Sequence, residues 1–139
     1  MEMLRYKIRI AVLWVLMAVA TSAHSIMVAM DPTAMEGAIP EFEAAGPGMW
    51  FFLALFWMVP LWLAFMSLTV KGSANRWVNF IVGIIFTILN IWHFLGCGLA
   101  IIEGVVGEPT AHHILLVGST VVATALIAWY AWKWPKQEA

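Results

Sequence analysis

The chain has 139 residues, of which 63% are hydrophobic and only 11% are charged. Soluble domains carry roughly 25% charged residues, so this composition excludes a water-soluble globular domain and indicates a protein of the lipid bilayer. The net charge of −1 comes without a basic block, which excludes a nucleic-acid-binding surface. The single cysteine, Cys97, excludes an internal disulfide.

Four charge-free apolar stretches predict four transmembrane helices. They cover residues 10–30, 49–70, 77–102 and 111–132. Each reaches the roughly 20 residues that cross a hydrocarbon core, and helices pair every backbone polar group within the lipid. The sequence therefore predicts an all-α integral membrane protein, a single four-helix transmembrane bundle over residues 1–139. Short connections predict that consecutive helices are antiparallel neighbours.

Charged residues are sorted between the connections. The seven basic residues lie in the two tails and the second connection: Arg5, Lys7, Arg9, Lys71, Arg76, Lys133 and Lys136. The first and third connections carry only acids: Asp31, Glu36, Glu41, Glu43, Glu103 and Glu108. The positive-inside rule then predicts that both termini are cytoplasmic, in a multi-pass protein of the bacterial inner membrane.

The first connection, residues 31–48, is longer than a tight turn between helices and contains Pro32, Pro40 and Pro47. We expect an irregular, solvated surface loop. A docking surface for a partner, or a lid over a cavity beneath it, is the alternative.

Polar residues of the third span share one face. At 100° per residue an arc of roughly 120° holds Asn79, Gly83, Thr87, Asn90, His93 and Cys97. This face should point into the bundle, because a polar group exposed to hydrocarbon is costly. Ordinary helix packing explains Asn79, Thr87, Thr120 and Thr124. A polar pocket would instead involve Asn90 and His93, and a small-solute transporter would line its route with Asn79, Thr87, Asn90 and His93.

Histidines mark a second pattern. His24 lies about 9 Å below the end of the first span and His93 about 13 Å below the end of the third, so the two can face one another. Cys97 follows His93 by one turn, and His112 and His113 begin the fourth span. These five side chains are candidate metal ligands for copper or zinc, and His24 with His93 for a haem iron. His24, His93 and Asn90 are candidate cofactor-binding residues, a quinone included; simple hydrogen bonding at the helix interface is the alternative.

Two segments carry a resemblance. NRWVNFIVGI at residues 75–84 and IAWYAWKWP at residues 127–135 resemble a family of small bacterial four-span membrane proteins of unknown function, which is similar in size and layout to DoxX-like proteins. The resemblance implies a compact four-helix bundle and no particular activity.

No nucleophile with a base, no paired carboxylates within a span and no phosphate loop is present, so we expect no catalytic residues and lean against an enzyme. The leading hypothesis is a non-catalytic subunit or accessory protein, packed against itself as a homo-oligomer or against a larger membrane complex. Its contact surface would be the aromatic flank of the second span: Phe51, Phe52, Phe56, Trp57 and Trp62. The alternatives are a haem-, metal- or quinone-binding bundle with its site in the non-cytoplasmic half, and an oligomeric transporter.

Overall fold

The computed structural model describes residues 2–103 and 111–135. This part of the chain forms five helices: α1 (Glu2–Met30), α2 (Pro32–Ala45), α3 (Pro47–Thr69), α4 (Ser73–Glu103) and α5 (Ala111–Lys133). Helices α1, α3, α4 and α5 are long and apolar enough to cross a membrane. The prediction of an all-α, four-span bundle is confirmed. Helix α1 starts well before the predicted span, because the basic N-terminal tail continues the same helix.

The first connection is not an irregular loop, and this expectation was wrong. Helix α2 fills most of it. Pro32 occupies the first helical position, where a missing N–H costs nothing, and the Met35 amide donates to the Asp31 carbonyl at 3.0 Å. Gly46, with a φ of 67°, ends the segment in a conformation that favours glycine, and α3 begins directly after it.

Helix α1 is the central element of the bundle and packs between α3 and α5, while α4 packs along α5. The core is built from all four spanning helices: Ile10, Trp14, Met17, Leu63, Ala64, Phe86, Ala123, Ile127 and Ala131. The consecutive helices α3 and α4 are also in contact, but they approach each other less closely than the other consecutive spanning helices do. Bulky rings separate them, since Phe56 stacks on Phe86 at 5.2 Å between ring centroids.

Gly83 sets the close approach of α4 to α5. A Cβ atom at this position would lie 3.1 Å from the Ala128 backbone nitrogen and 3.2 Å from a methyl group of Ile127. Backbone at that distance cannot move aside as a side-chain end can. Gly83 therefore lets the two helix backbones meet, as small residues do in membrane bundles.

A hydrogen-bond network closes the end of the bundle that carries both chain termini, which we call the terminal end. The buried Asn79 carboxamide joins three helices there, because its Oδ1 accepts from Trp14 Nε1 at 2.7 Å and from Ser67 Oγ at 3.0 Å. The Lys7 ammonium donates to the Val70 carbonyl at 2.7 Å. Ordinary packing thus accounts for Asn79, as it does for Thr120 and Thr124, which are buried and hydrogen-bonded.

The network also bears on the transporter hypothesis. Asn79 lies inside a sealed contact, so it does not line a route. Thr87 donates to the Gly83 carbonyl of its own helix at 2.7 Å.

The outer surface of the bundle is apolar. Large hydrophobic side chains on every spanning helix are exposed, among them Leu16, Trp62, Trp92 and Leu115. Helices whose apolar side chains are exposed and whose polar side chains are buried are suited to a lipid environment. The surface therefore agrees with the composition in placing the protein in a bilayer.

Candidate functional site

The structure brings His24 of α1 and His93 of α4 into contact. Their Nε2 atoms are 3.2 Å apart, and the rings meet edge to face with centroids 5.2 Å apart. The pair lies toward the end of the bundle that carries α2, opposite the terminal end; we call this the α2 end. Both residues lie in the C-terminal part of their helices, His24 six residues before the end of α1 and His93 ten residues before the end of α4, and both helices end at the α2 end of the bundle.

Cys97 completes a cluster with the two histidines. It follows His93 by four residues on α4, so both side chains project from the same face of that helix. The three possible ligand atoms, two imidazole nitrogens and one sulfur, lie within 4.8 Å of one another. We call His24, His93 and Cys97 the HHC cluster. Its members belong to two helices, which fixes their spacing through helix packing rather than through a flexible loop.

The spacing of the nitrogens matches one metal geometry and conflicts with another. Two nitrogens on a tetrahedral centre, with bonds of about 2.0–2.1 Å, lie about 3.3 Å apart. The observed 3.2 Å is close to that value, and it is also the length of the hydrogen bond that joins the two imidazoles here. Axial ligands of a haem stand on opposite sides of the iron, so their nitrogens are about 4 Å apart with the porphyrin between them. The edge-to-face contact leaves no room for a porphyrin, so a haem does not fit this pair of side chains.

The other candidate residues fall in different places. The side chains of His112 and His113 lie outside the described residues. Asn90 lies two turns of α4 from Cys97 toward the membrane centre and is buried; its Nδ2 donates to the Phe86 carbonyl at 2.8 Å and its Oδ1 accepts from Thr120 at 3.0 Å. Asn90 is therefore separate from the HHC cluster, but both adjoin the same cavity.

That cavity has a volume of about 480 Å³ and lies between all four spanning helices at the α2 end. Its polar side chains include His24, His93, Asn90 and Thr120. Its remaining wall is mainly apolar and aromatic: Ala20, Phe52, Leu53, Phe56, Trp57, Leu89, Trp92 and Val117. Volume and lining are both typical of small-molecule sites, which are mostly apolar with a few polar groups.

Helix α3 supplies a wall that the sequence did not reveal. Phe52, Phe56 and Trp57 were assigned with Phe51 and Trp62 to one outward-facing flank. The structure divides this set, because the first three line the cavity while Phe51 and Trp62 do not. Their helical spacing, Phe52 to Phe56 across one turn, was the available signal.

In comparisons with protein-family models, curated proteins and solved structures, the chain matches none of them.

Proposed function

We propose that this protein binds a soft transition-metal ion, copper(I), at the HHC cluster within the membrane. The observation that carries the proposal is the convergence of His24, His93 and Cys97, with their ligand atoms within 4.8 Å of one another. Thiolate ligands select copper(I), zinc and iron–sulfur clusters, and imidazole suits copper and zinc. Copper(I) and zinc are the two metals that suit both the thiolate and the imidazoles, so they are the candidates for this cluster.

Charge favours copper(I) over zinc at this position. Two neutral imidazoles and one thiolate carry a charge of −1 in total, so copper(I) gives a neutral site, whereas Zn²⁺ leaves an uncompensated positive charge. A residual charge is costly in the low-dielectric interior of a bundle. A tetrahedral zinc ion on these three protein ligands would also need a water or another molecule as its fourth ligand.

The predicted orientation supports delivery of a cation. If the termini are cytoplasmic, the α2 end faces the non-cytoplasmic side, where the first and third connections carry acids and no bases. A negative surface raises the local concentration of cations at the mouth of a site. The inner-membrane location in a bacterium belongs to the same proposal.

The hypothesis of a non-catalytic accessory subunit stays a prediction. The exposed rings on α3, such as Phe51 and Trp62, are as compatible with contact to lipid as with contact to a protein partner. The resemblance to DoxX-like proteins likewise stays a prediction and contributes no site residue.

The test is a copper(I) titration of the purified protein in mild detergent under reducing, oxygen-free conditions, in competition with a chromophoric copper(I) chelator. We expect one copper(I) per chain and X-ray absorption that reports two nitrogen ligands and one sulfur ligand. The variants His24→Ala, His93→Ala and Cys97→Ser should each lower the affinity at least about 100-fold, since loss of a direct ligand exceeds the 10–100-fold effect of an outer-shell change.

Ser25→Ala is the matched control. Ser25 adjoins His24 and lines the same cavity, but its hydroxyl donates to the Thr21 carbonyl of its own helix. This variant should keep the affinity within about threefold, the order of one helical hydrogen bond. Equal copper(I) affinity in wild type and the three ligand variants would refute the site, and tighter binding of Zn²⁺ than of copper(I) would refute the choice of metal.

A further inference from the structure

The cavity below the HHC cluster extends toward the centre of the bundle and ends near Asn90 and Thr120. Its volume of about 480 Å³ greatly exceeds what a single metal ion needs. Helix α3 contributes aromatic rings to one side, with Phe52 stacked on Phe56 at 6.4 Å between centroids and an interplanar angle of 30°. The cavity thus offers a ring-lined volume that the metal site does not use.

Asn90 provides a fixed hydrogen-bond donor at the inner end of this volume. The residue is 3% exposed. The Phe86 carbonyl can only accept, so the amide nitrogen of Asn90 must face it, and the amide oxygen faces the Thr120 hydroxyl, which shares its hydrogen between this oxygen at 3.0 Å and the Val117 carbonyl at 2.7 Å. An amide nitrogen carries two hydrogens, and Phe86 takes one of them. The second hydrogen of this buried amide, which lines the cavity, can be donated to an acceptor such as a carbonyl oxygen.

The loose contact between α3 and α4 provides an entry from the lipid. The two helices are joined at the terminal end, where Asn75 Nδ2 donates to the Ser67 carbonyl at 3.1 Å, and by the ring stack at mid-height. Toward the α2 end the cavity wall includes Trp57 on α3 and Trp92 on α4, and both are exposed on the outer surface. A molecule dissolved in the bilayer can therefore reach the cavity between these two helices.

The residues that line the cavity also indicate that its occupant is uncharged. The residues that line the cavity include no Asp, Glu, Lys or Arg, so a charged molecule would lack a counter-ion. A larger, shallow depression of about 650 Å³ on the outside, lined by Leu16, Leu115 and other residues, is almost wholly apolar and resembles ordinary lipid contact. The cavity at Asn90 differs from it in holding a buried donor.

The geometry points to a second ligand site in this cavity, for a neutral, lipid-soluble ring compound whose carbonyl oxygen accepts a hydrogen bond from the Asn90 amide. Its ring lies against Phe56 and its neighbours, and its apolar tail leaves between α3 and α4. The hydrogen-bond donor of this site, Asn90, is not a member of the HHC cluster, although His24 and His93 also line the cavity.

The probe is 4-butylbenzophenone, a photoreactive ring ketone, added to the full-length protein in lipid nanodiscs. Irradiation and mass spectrometry should place the label on cavity residues such as Leu53, Leu89 and Val117, and the labelling should saturate. Val117→Phe fills the cavity and should abolish saturable labelling there. Leu115→Phe is the matched control on the same helix, since Leu115 is exposed and does not line this cavity; its labelling should equal that of wild type.

Asn90→Leu removes the donor while keeping the side-chain size, and it should weaken binding of the probe about tenfold, which corresponds to about 1.4 kcal/mol. Thermal unfolding of each variant verifies folding. Cys97→Ser, whose side chain does not line this cavity, should lower the copper(I) affinity at least about 100-fold and leave the labelling unchanged, so failure of either site is distinguishable from failure of the other. Label spread evenly over the lipid-facing surface, or unchanged saturable labelling in Val117→Phe, would overturn the proposal.

Discussion

Replacement of Asn79 by leucine should be among the most destabilising single changes in the bundle. Asn79 is 0% exposed, and its oxygen accepts from Trp14 of α1 and Ser67 of α3. Its amide nitrogen donates to the backbone and side-chain oxygens of Asn75 at 2.9 and 2.7 Å. Leucine has nearly the same size, so Asn79→Leu removes the hydrogen bonds without leaving a large void.

The magnitude follows from what each partner retains. Ser67 keeps a second acceptor, the Leu63 carbonyl at 2.6 Å, so it loses little. The Trp14 indole is fully buried, and its N–H would face apolar atoms, which costs about 1–3 kcal/mol. The two interhelical hydrogen bonds average about 0.6 kcal/mol each in membrane proteins. We therefore expect Asn79→Leu to lower the free energy of unfolding by about 2–4 kcal/mol.

The assay is unfolding by increasing SDS fraction in dodecyl maltoside micelles, followed by near-ultraviolet circular dichroism. The double variant Asn79→Leu with Trp14→Phe removes the stranded donor, so its loss should be smaller than the sum of the two single losses by at least about 1 kcal/mol. Thr87→Val is the control on the same helix, because the Thr87 hydroxyl bonds only within α4 at 2.7 Å to Gly83. Strict additivity of the double variant, or a loss below 0.5 kcal/mol in Asn79→Leu (about the effect of a neutral surface change), would refute the reasoning.

Two further predictions concern helix contact and metal binding. Gly83→Leu should destabilise the protein by about 1–3 kcal/mol in the same unfolding assay, because the added side chain meets the α5 backbone. Gly96→Leu, whose Cβ atom would meet nothing within 4 Å, should stay within about 0.5 kcal/mol of wild type; equal losses would show that Gly83 is not a contact point. The apparent copper(I) affinity should fall at least about tenfold between pH 7 and pH 5, because protons compete with the metal for the imidazoles and the thiolate. The chelator competition, repeated at several pH values, measures this, and an affinity that does not change with pH would contradict ligation by the HHC cluster.

The spanning helices could be predicted because lipid imposes a simple constraint. The predicted span at residues 49–70 and the observed α3 (Pro47–Thr69) differ by two residues at most, since both follow from the length of an uninterrupted apolar run. The same reasoning failed for α2, where proline and glycine were interpreted as signs of an irregular loop. Pro32 starts a helix rather than ending one, and that distinction depends on the neighbouring turn, which the apolar pattern does not describe.

The candidate site could be predicted only in part, for a geometric reason. Depth along a helix is a property of one sequence segment, so the meeting of His24 with His93 was foreseeable. Contacts that depend on how each helix is rotated against its neighbours could not be foreseen from the sequence. No polar pattern in the sequence singled out Trp14, yet its indole N–H donates a hydrogen bond to Asn79. Lys7 was counted among the basic residues of the N-terminal tail, but it is nearly buried and binds the carbonyl at the end of α3.

The two ends of the bundle use their polar side chains in different ways, and this difference argues for a ligand site at the α2 end. At the terminal end, Lys7 and Asn75 both donate to the Val70 carbonyl, and Asn75 also donates to Ser67, so a ligand would have to break several bonds that hold three helices together. At the HHC cluster a metal ion would take the place of the contact between the two imidazoles and would bind both of them. The two imidazole nitrogens already stand close to the distance at which one metal ion binds both, so binding there requires less rearrangement of the bundle.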